Sequence, residues 1–332
     1  MRAPATGDRG GLRRAGPAPA RGLVDAVVVA YNSRDDLAAC LAAVRRAGRL
    51  GSVVVVDHGT DGSGAHADAL GALTLHEPAN PGFGAGQNRG LGATTAPYVL
   101  LLNPDAVIDP AGLAQGIELL DRDASVGACQ GVVADRRSGE PERSSGVSLR
   151  PVHLWGRLLH LRHLRRSTLA RRLALRVPAL ADHVERTSPE PRPVESLAAT
   201  ALLARRSALD EVGGFDERFF LYGEDLDLCQ RLRRAGWTLV ALPVPWAVHA
   251  SGSSAASSWQ REVDWWRGTM QFAAKWYAPA PWALAVTAAA ARTALLALRR
   301  PASARRAMAG CLRDPLAFRH ALRRGATRGP GR

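Results

Sequence analysis

Three short apolar runs, separated by segments of helical character, constrain the fold of this chain more than any other feature. The runs are Val24–Ala30 (VDAVVVA), residues 52–56 (SVVVV) and Tyr98–Leu102 (YVLLL), and a weaker one is Leu73–His76. A continuous apolar run of this length is typical of a strand buried on both faces. Because helical patterns stand between the runs, the sequence predicts βαβ units and an α/β fold with a parallel sheet.

Polar residues follow three of these strands directly. Tyr31 and Asn32 follow the first, Asp57 ends the second, and Asn103-Pro104-Asp105 follows the fourth. In open α/β sheets, ligands bind beyond the carboxyl ends of the strands. The three clusters therefore predict one site at one edge of the sheet.

A second candidate cluster lies at residues 213–232 (GGFDERFFLYGEDLDLCQRL). Here a glycine- and aromatic-rich loop leads to adjacent carboxylates, Glu224 and Asp225, at the start of an amphipathic helix. Free N–H groups and the helix dipole stabilise an anion at a helix start. A carboxylate held there beside a pocket can take a proton from a hydroxyl group. The competing interpretation is an ordinary acidic first turn with solvated charges.

Other patterns complete the predicted order of elements. Ser33 is a candidate N-cap for a helix at residues 34–47. Residues 80–90 (NPGFGAGQNRG) are predicted to be a glycine-rich loop entering a helix, and their spacing does not match a P-loop. Strands are predicted at residues 128–133, 194–205 and 238–242.

Charge and cysteine content restrict the partners and the compartment. The chain of 332 residues carries a formal net charge of +14, which favours polyanions such as nucleic acid, anionic lipid or phosphorylated substrates. The four cysteines form no CxxC pair, so neither a zinc site nor a disulfide framework is indicated, and a reducing cytoplasm fits best. Residues 1–22 are basic without an apolar segment, and we interpret them as a disordered basic arm rather than a secretory signal.

The ordered set of motifs resembles the inverting family 2 glycosyltransferases with a GT-A fold, and most of all their bacterial rhamnosyltransferase branch. The segments that carry the resemblance are VVVAYN (27–32), VVVDHGTDGS (54–63), NPGFGAGQNRG (80–90), LLNPDA (101–106), residues 213–237 and HASGS (249–253). The resemblance implies a Rossmann-like, mostly parallel sheet flanked by helices over residues 23–255. It also implies transfer of a sugar, with rhamnose from dTDP-rhamnose expected and UDP-galactofuranose as an alternative donor.

The resemblance assigns roles to individual residues. It places the nucleotide-sugar donor beside Tyr31, Asn32, Asp57, Asp61, Gly84, Asn88, Arg89 and Asn103. Asp105 and His249 are expected to hold Mg²⁺ or Mn²⁺, and Asp225 is expected to act as general base with Glu224 as its partner. His58 stands where the family has Asn, and Asn103 replaces the first acid of the DxD-type motif.

Two basic segments suggest contact with an anionic membrane. Residues 151–193 are expected to form a basic amphipathic insertion, because leucines alternate with arginines there at helical spacing. The resemblance implies that this insertion lies on the acceptor side. Residues 256–332 are expected to form a basic, alanine-rich helical extension that associates with the membrane, with aromatic residues between positions 259 and 277 at the interface. The expected acceptor is a saccharide on a polyprenyl diphosphate, and the expected location is the inner face of the cell membrane, on the cytoplasmic side.

Three other classes of function compete with this interpretation. A nucleotidyltransferase would have a glycine-rich loop with a basic residue after the first strand, where this chain has Tyr31-Asn32-Ser33. A nucleic-acid-binding protein is suggested by charge alone, since no nucleic-acid-binding motif is present, and no nucleic acid partner is expected. A catalytically silent relative stays open because of His58 and Asn103.

Overall fold

A computed structural model describes residues 22–142, 144–146, 148–158, 189–250, 258–297, 310 and 313–320. The strands are β1 (Val24–Ala30), β2 (Leu50–Asp57), β3 (Leu73–His76), β4 (Tyr98–Leu102), β5 (Ala106–Ile108), β6 (Val126–Asp135), β7 (Ser145–Gly146), β8 (Arg192–Pro193), β9 (Ser196–Leu197), β10 (Ala201–Arg205) and β11 (Thr238–His249). The helices, numbered here in chain order, are α1 (Arg34–Arg46), α2 (Ser63–Ala69), α3 (Phe83–Leu91), α4 (Pro110–Arg122), α5 (Pro151–Leu158), α6 (Arg206–Glu211), α7 (Glu224–Arg234), α8 (Ser258–Trp276) and α9 (Pro279–Ala297).

The central sheet has the strand order β3-β2-β1-β4-β10-β6-β11-β5, and β8 pairs with β11. Strands β3, β2, β1 and β4 are parallel to one another. Strand β10 is antiparallel to both β4 and β6, while β6 and β11 are again parallel. The predicted α/β sheet is therefore confirmed, and one antiparallel strand joins its two parallel parts.

Strand β1 lies at the centre of the sheet and has a packed layer on each face. Successive side chains of a strand point to opposite faces. Val28 accordingly packs against the layer that contains α1 and α4, and Val27 packs against the layer that contains α6 and α7. Every residue of β1 is buried. This explains why its sequence is apolar throughout, apart from Asp25, and does not alternate between apolar and polar residues.

Three predicted elements have different bounds. Helix α3 already begins at Phe83, so most of the expected glycine-rich loop is helical. The strand expected at residues 194–205 is divided, because β9 pairs with β7 in a separate two-stranded sheet and only β10 joins the central sheet. Strand β11 continues to His249, and its register shifts around Pro245 accommodate a proline within the strand.

Ser33 occupies the predicted N-cap position of α1, but its side chain does not cap the helix. The Ser33 hydroxyl makes no capping hydrogen bond and instead donates to Tyr31 O. The Arg34 N–H group at the start of the helix donates to the Asp61 carboxylate at 3.1 Å. A residue 27 positions away in sequence therefore caps the helix.

Helices α8 and α9 pack with α5 into an additional apolar cluster. Trp266 is fully buried in that cluster, and the Trp276 indole donates to Asp227 of α7, so both residues have contacts within the protein. The expected membrane interface stays a prediction. Over the described ranges, which omit 159–188 and most positions beyond 297, no helix has the length and apolar content needed to cross a bilayer. The basic arm at residues 1–21 and the leucine- and arginine-rich residues 159–188 lie outside the described residues.

Candidate functional site

The carboxyl ends of neighbouring strands bring the predicted polar residues to one edge of the sheet. Ala30 of β1 pairs with Asp57 of β2, and Val28 of β1 pairs with Leu102 of β4. Tyr31, Asp57 and Asn103 therefore lie at the same edge of the sheet, at the carboxyl ends of β1, β2 and β4. The strand pairing thus brings the first three predicted clusters to one edge.

The carboxylate of Asp225 reaches this edge from α7. The Ala199 N–H group hydrogen-bonds to Asp225. The next residue, Thr200, accepts a hydrogen bond from the Asn103 N–H group at 2.9 Å. Ala199 and Thr200 therefore connect Asp225 to Asn103 at the end of β4. Asn103 is two residues before Asp105 in the sequence.

Asp57 and Asp61 organise the turn between β2 and α2. The two carboxylate oxygens of Asp57 accept from the Gly59 N–H and Gly64 N–H groups at 3.0 and 2.9 Å, and Asp57 is only 6% exposed. Burial alone would raise the pKa of Asp61, but hydrogen bonds from the Ser63 hydroxyl and from backbone N–H groups hold it below its usual value. Each carboxylate therefore has a structural role in the turn, whatever it contacts in a ligand.

Tyr31 and Asn32 lie beside that turn. The Tyr31 side chain is 50% exposed, and a ring at this position is free to contact a flat ligand. Asn32 has a φ of 50° and accepts a hydrogen bond from the Thr60 N–H group through its side-chain oxygen. Asparagine tolerates this left-handed conformation better than most residues, which explains its presence at the end of β1.

His58, the departure from the family pattern, is buried between the turn and α3. Its Nδ1 lies 2.7 Å from Glu77 O, and its Nε2 has no hydrogen-bond partner. A Cβ at Gly86 would lie 2.6 Å from that Nε2, so glycine is needed where α3 passes the imidazole.

Asp105 and His249 come together from opposite parts of the chain. His249 Nε2 lies 3.1 Å from Asp105 Oδ1, and His249 Nδ1 lies 3.0 Å from Glu142 Oε2. Burial alone would lower the pKa of His249, but hydrogen bonds from its ring to the two carboxylates raise that pKa to about 9. The Asn103 amide nitrogen is 3.3 Å from the same Nε2.

The residue types at this cluster fit a divalent cation, since carboxylate oxygen and imidazole nitrogen are both ligands of Mn²⁺ and carboxylate is a ligand of Mg²⁺. In the geometry described, the two ring nitrogens of His249 face carboxylates. Among the described residues, no three His, Cys, Asp or Glu side chains are arranged as a set that would hold a metal ion. The expected pair, Asp105 and His249, is therefore adjacent without forming a complete ligand shell.

Glu224 and Asp225 begin α7 after Gly223, which has a φ of 88°. Glu224 is 5% exposed and its Oε2 has no partner. Burial, and then the nearby Asp225, raise the pKa of Glu224 well above its usual value, and burial also raises the pKa of Asp225. Because backbone N–H groups donate to Asp225 while Glu224 Oε2 has no partner, Asp225 is the better candidate of the two for the carboxylate that accepts a proton.

The glycine-rich segment supplies packing contacts. The Asn88 amide accepts from the Phe215 N–H group at 2.8 Å and donates to Phe215 O at 2.9 Å, so it fastens α3 to the loop before α7. A Cβ at Gly84 would lie 3.1 Å from Phe215. Arg89 is exposed in the last turn of α3, one residue from Gly90, which packs against Val27 in the middle of β1. Donor contacts of Asn88, Arg89 and Gly84 stay predictions, and the described contacts of Asn88 and Gly84 are structural.

Two residues of the site region were not predicted from the sequence. Glu142 completes the carboxylate pair around His249. Asp227 is fully buried and binds Arg231 and Lys275, although its place in an acidic helix start suggested a solvated charge. A buried Asp227 could have been inferred only from its spacing of four residues from Arg231, which is too common on helix surfaces to be decisive.

A sequence profile described as glycosyltransferase like family 2 matches residues 19–268. An N-acetylglucosaminyl-diphospho-decaprenol L-rhamnosyltransferase of Mycobacterium tuberculosis is 39% identical over 104 residues, which are 26% of this chain and 34% of that protein. The match thus spans about a third of that relative. A protein of the same organism named as an uncharacterized glycosyltransferase is 28% identical over 249 residues, covering 74% of this chain and 96% of that protein.

Among solved structures, a mannosyltransferase of Pyrobaculum calidifontis in complex with GDP-mannose and Mn²⁺ is similar in fold. The TM-score is 0.53 at 20% sequence identity, over 91% of this chain and 83% of that one. This likeness supports the GT-A fold. The profile match shows that this chain belongs to the family 2 glycosyltransferases, and over part of its length the chain is similar to rhamnosyltransferases.

Proposed function

We propose that this enzyme transfers a sugar from a nucleotide donor to a lipid-linked or cell-envelope saccharide with inversion at the anomeric carbon, and that Asp225 is its general base. The observation that carries the proposal is the adjacent pair of a buried Glu224 and a partly exposed Asp225, which is joined through Ala199 and Thr200 to the end of β4. Rhamnose from dTDP-rhamnose is the proposed donor sugar, because the chain is similar to an L-rhamnosyltransferase over part of its length.

The proposed reaction is a single displacement. The acceptor hydroxyl oxygen forms a bond to the anomeric carbon while the bond from that carbon to the diphosphate oxygen breaks. The hydroxyl proton goes to Asp225, and the nucleoside diphosphate leaves. A proton held by Glu224 keeps the pair from carrying two negative charges, and the raised pKa of Asp225 makes its carboxylate a stronger base.

The donor is proposed to lie along the strand ends. Tyr31 and Asn32 would contact the base, and Asp57 would accept a hydrogen bond from it while Asp61 holds the turn. Asn103 would face the diphosphate. Asp105 and His249 would hold Mg²⁺ or Mn²⁺, which when bound offsets the negative charge of the departing diphosphate.

The acceptor is proposed to be a saccharide on a polyprenyl diphosphate, since the relative's name specifies a decaprenol diphosphate acceptor. A chain with a net charge of +14 would meet such an acceptor at the anionic inner face of the cell membrane. UDP-galactofuranose is the alternative donor. A catalytically silent relative that binds lipid-linked saccharide or nucleic acid is the alternative function, and it rests on the departures at His58 and Asn103.

A donor screen tests the proposal. Wild type, Asp225→Asn and a control variant, Asp210→Asn, are incubated with dTDP-rhamnose, UDP-galactofuranose or UDP-glucose, a polyprenyl-diphosphate saccharide, and Mg²⁺ or Mn²⁺. Asp210 is an exposed acid on α6, and its change is expected to leave the rate unaltered. Loss of the base is expected to lower kcat roughly 100- to 10,000-fold. Full activity of Asp225→Asn would contradict the assignment, and no transfer by wild type with any donor would favour the silent relative.

A further inference from the structure

The backbone of α8 packs directly on the turn that begins the acidic helix α7. A Cβ at Gly268 would lie 1.8 Å from Tyr222 O and 2.6 Å from Leu221 O. A Cβ at Gly223 would in turn lie 2.6 Å from Gly268 O. Tyr222 and Gly223 both have positive φ angles, 62° and 88°. The turn is therefore in the left-handed backbone region at the two residues that α8 covers. The contact leaves no room for a side chain between the two segments.

Lys275 lies seven residues further along α8, about two helical turns, and therefore on the same face as Gly268. Its Nζ is 2.7 Å from Asp216 Oδ2 and 2.6 Å from Asp227 Oδ1. The exposed fractions of the three side chains are only 14%, 10% and 0%. Such a buried cation between two buried carboxylates is strongly held, because its loss would remove one of the two cations that balance each acid.

The two carboxylates stand on either side of the turn. Asp216 lies in the loop before it, where it also binds the Arg218 guanidinium. Asp227 lies in the first turn of α7, where Arg231 Nε and Trp276 Nε1 donate to it, each at 2.8 Å. Lys275 therefore connects the loop, α7 and α8 at one point.

The charge state of Asp216 is well defined. Burial alone would raise the pKa of Asp216, but hydrogen bonds from Arg218 and Lys275 hold it well below its usual range. Asp216 is thus ionised across the range in which the protein would be assayed, and its attraction to Lys275 persists there. Asp225 is two residues from Asp227 in the same helical turn. A displacement of Asp227 would therefore also displace the Asp225 carboxylate.

We propose that Lys275 is a positioning residue for sugar transfer: by holding Asp216 and Asp227 together, it fixes the first turn of α7 and with it the direction of the Asp225 carboxylate. This rests on the proposed function of Asp225 as base. A base must lie within hydrogen-bond reach of the hydroxyl that it deprotonates, and a displacement of about 1 Å can lower the rate on the order of 100-fold. Helix α8 is therefore part of the catalytic unit and not a separable extension.

The test compares Lys275→Met and Lys275→Arg with the control Arg292→Met, all in the full chain. Arg292 Nε binds Glu262 at 2.7 Å, so the control removes an ion pair between α8 and α9 and leaves α7 untouched. Three quantities are measured for each: kcat for transfer, the Kd for dTDP and for UDP with Mn²⁺, and amide hydrogen exchange over residues 216–228.

We expect Lys275→Met to lower kcat about 10- to 100-fold, to accelerate exchange over residues 224–228 about tenfold, and to leave the nucleotide Kd within about twofold of wild type. Lys275→Arg should restore most of the rate, and Arg292→Met should match wild type in all three measurements. Wild-type kcat and exchange in Lys275→Met would overturn the proposal, as would a loss of nucleotide affinity equal to the loss of kcat.

If Lys275→Met does not fold, Asp216→Asn is measured in its place, because it removes one of the two ion pairs of Lys275. A lower kcat with faster exchange would support the proposal, and wild-type values of both would overturn it. The exchange comparison separates this proposal from the proposed function. If wild type transfers no sugar, the proposed function fails, while faster exchange in the Lys275 variant still supports the fixed turn.

Discussion

Helix α3 packs against the central strand through Gly90, and we predict that Gly90→Ala lowers the free energy of unfolding. A Cβ at this position would lie 2.2 Å from Cγ1 of Val27, which is fully buried. Carbon atoms pack at about 3.5–4.0 Å, so the helix and strand would have to separate by more than about 1 Å. Val27 cannot turn away easily, because a β-branched side chain has few rotamers and its Cγ2 is also 3.2 Å from the new atom.

Two opposing contributions determine how much Gly90→Ala is expected to lower the free energy of unfolding. Overpacking of a core typically costs about 1–3 kcal/mol, whereas Ala gains about 0.8–1.0 kcal/mol over Gly in helix propensity. Gly92→Ala is the matched control, because Gly92 has a φ of −62° and the nearest atom to its Cβ would be Arg89 O at 3.5 Å. The difference between the two variants approximates the packing term, and we expect Gly90→Ala to be about 1–3 kcal/mol less stable than Gly92→Ala.

Urea unfolding with linear extrapolation measures these free energies. A double-mutant cycle with Val27→Ala adds a second criterion. Removal of the valine methyl groups makes room for the new Cβ, so we expect a favourable coupling energy of about 1–2 kcal/mol. If Gly90→Ala is as stable as Gly92→Ala, the segment behaves as the flexible loop that its sequence suggested and the described packing of α3 is wrong.

Three further outcomes are expected. Burial and Asp225 hold the pKa of Glu224 well above its usual value, so the contribution of Glu224 to stability is complete below its unfolded pKa of about 4.3 and is lost as the pH rises through its folded pKa. Glu224→Gln should remove that loss, and urea unfolding at a series of pH values should show the wild type losing stability relative to the variant from about pH 4 upward. Asn88→Ala should lower the free energy of unfolding by about 1–3 kcal/mol, because it leaves the Phe215 backbone groups without partners, while Arg89→Ala should change it by less than about 0.5 kcal/mol; equal effects would contradict the described contacts. Reversing the charge of the arginines at positions 165, 166, 171 and 172 should release the protein from anionic vesicles in a flotation assay, since each basic residue near such a surface contributes about 1 kcal/mol, and unchanged binding would exclude this segment as the membrane contact.

The strands and helices of the first half were predictable because local sequence is sufficient there. A strand with helices on both faces is buried along its whole length, so β4 is an uninterrupted apolar run and β1 is one interrupted only by Asp25. The glycine-rich helix α3 was not predictable in the same way. Its glycines are poor helix formers, and only the close approach of β1 and the His58 turn explains why they stand in a helix.

Parallel pairing likewise makes the position of the candidate site a local property. Once β1, β2 and β4 are recognised as neighbours, Tyr31, Asp57 and Asn103 must lie at one edge, and the carboxylates before α7 are recognisable from their helix start. The sequence by itself thus determined the family, the fold class and the residue types at the site.

Only the tertiary structure decided how those residues are held. His249 meets Asp105 and Glu142, and Lys275 meets Asp216 and Asp227, across separations of dozens to more than a hundred residues. Such ion pairs leave no periodic signal, because each partner is one residue among the 83 Lys, Arg, His, Asp and Glu residues that the chain contains. Burial then sets their strength and raises the pKa values of Glu224 and Asp225, and burial is a property of the folded chain as a whole.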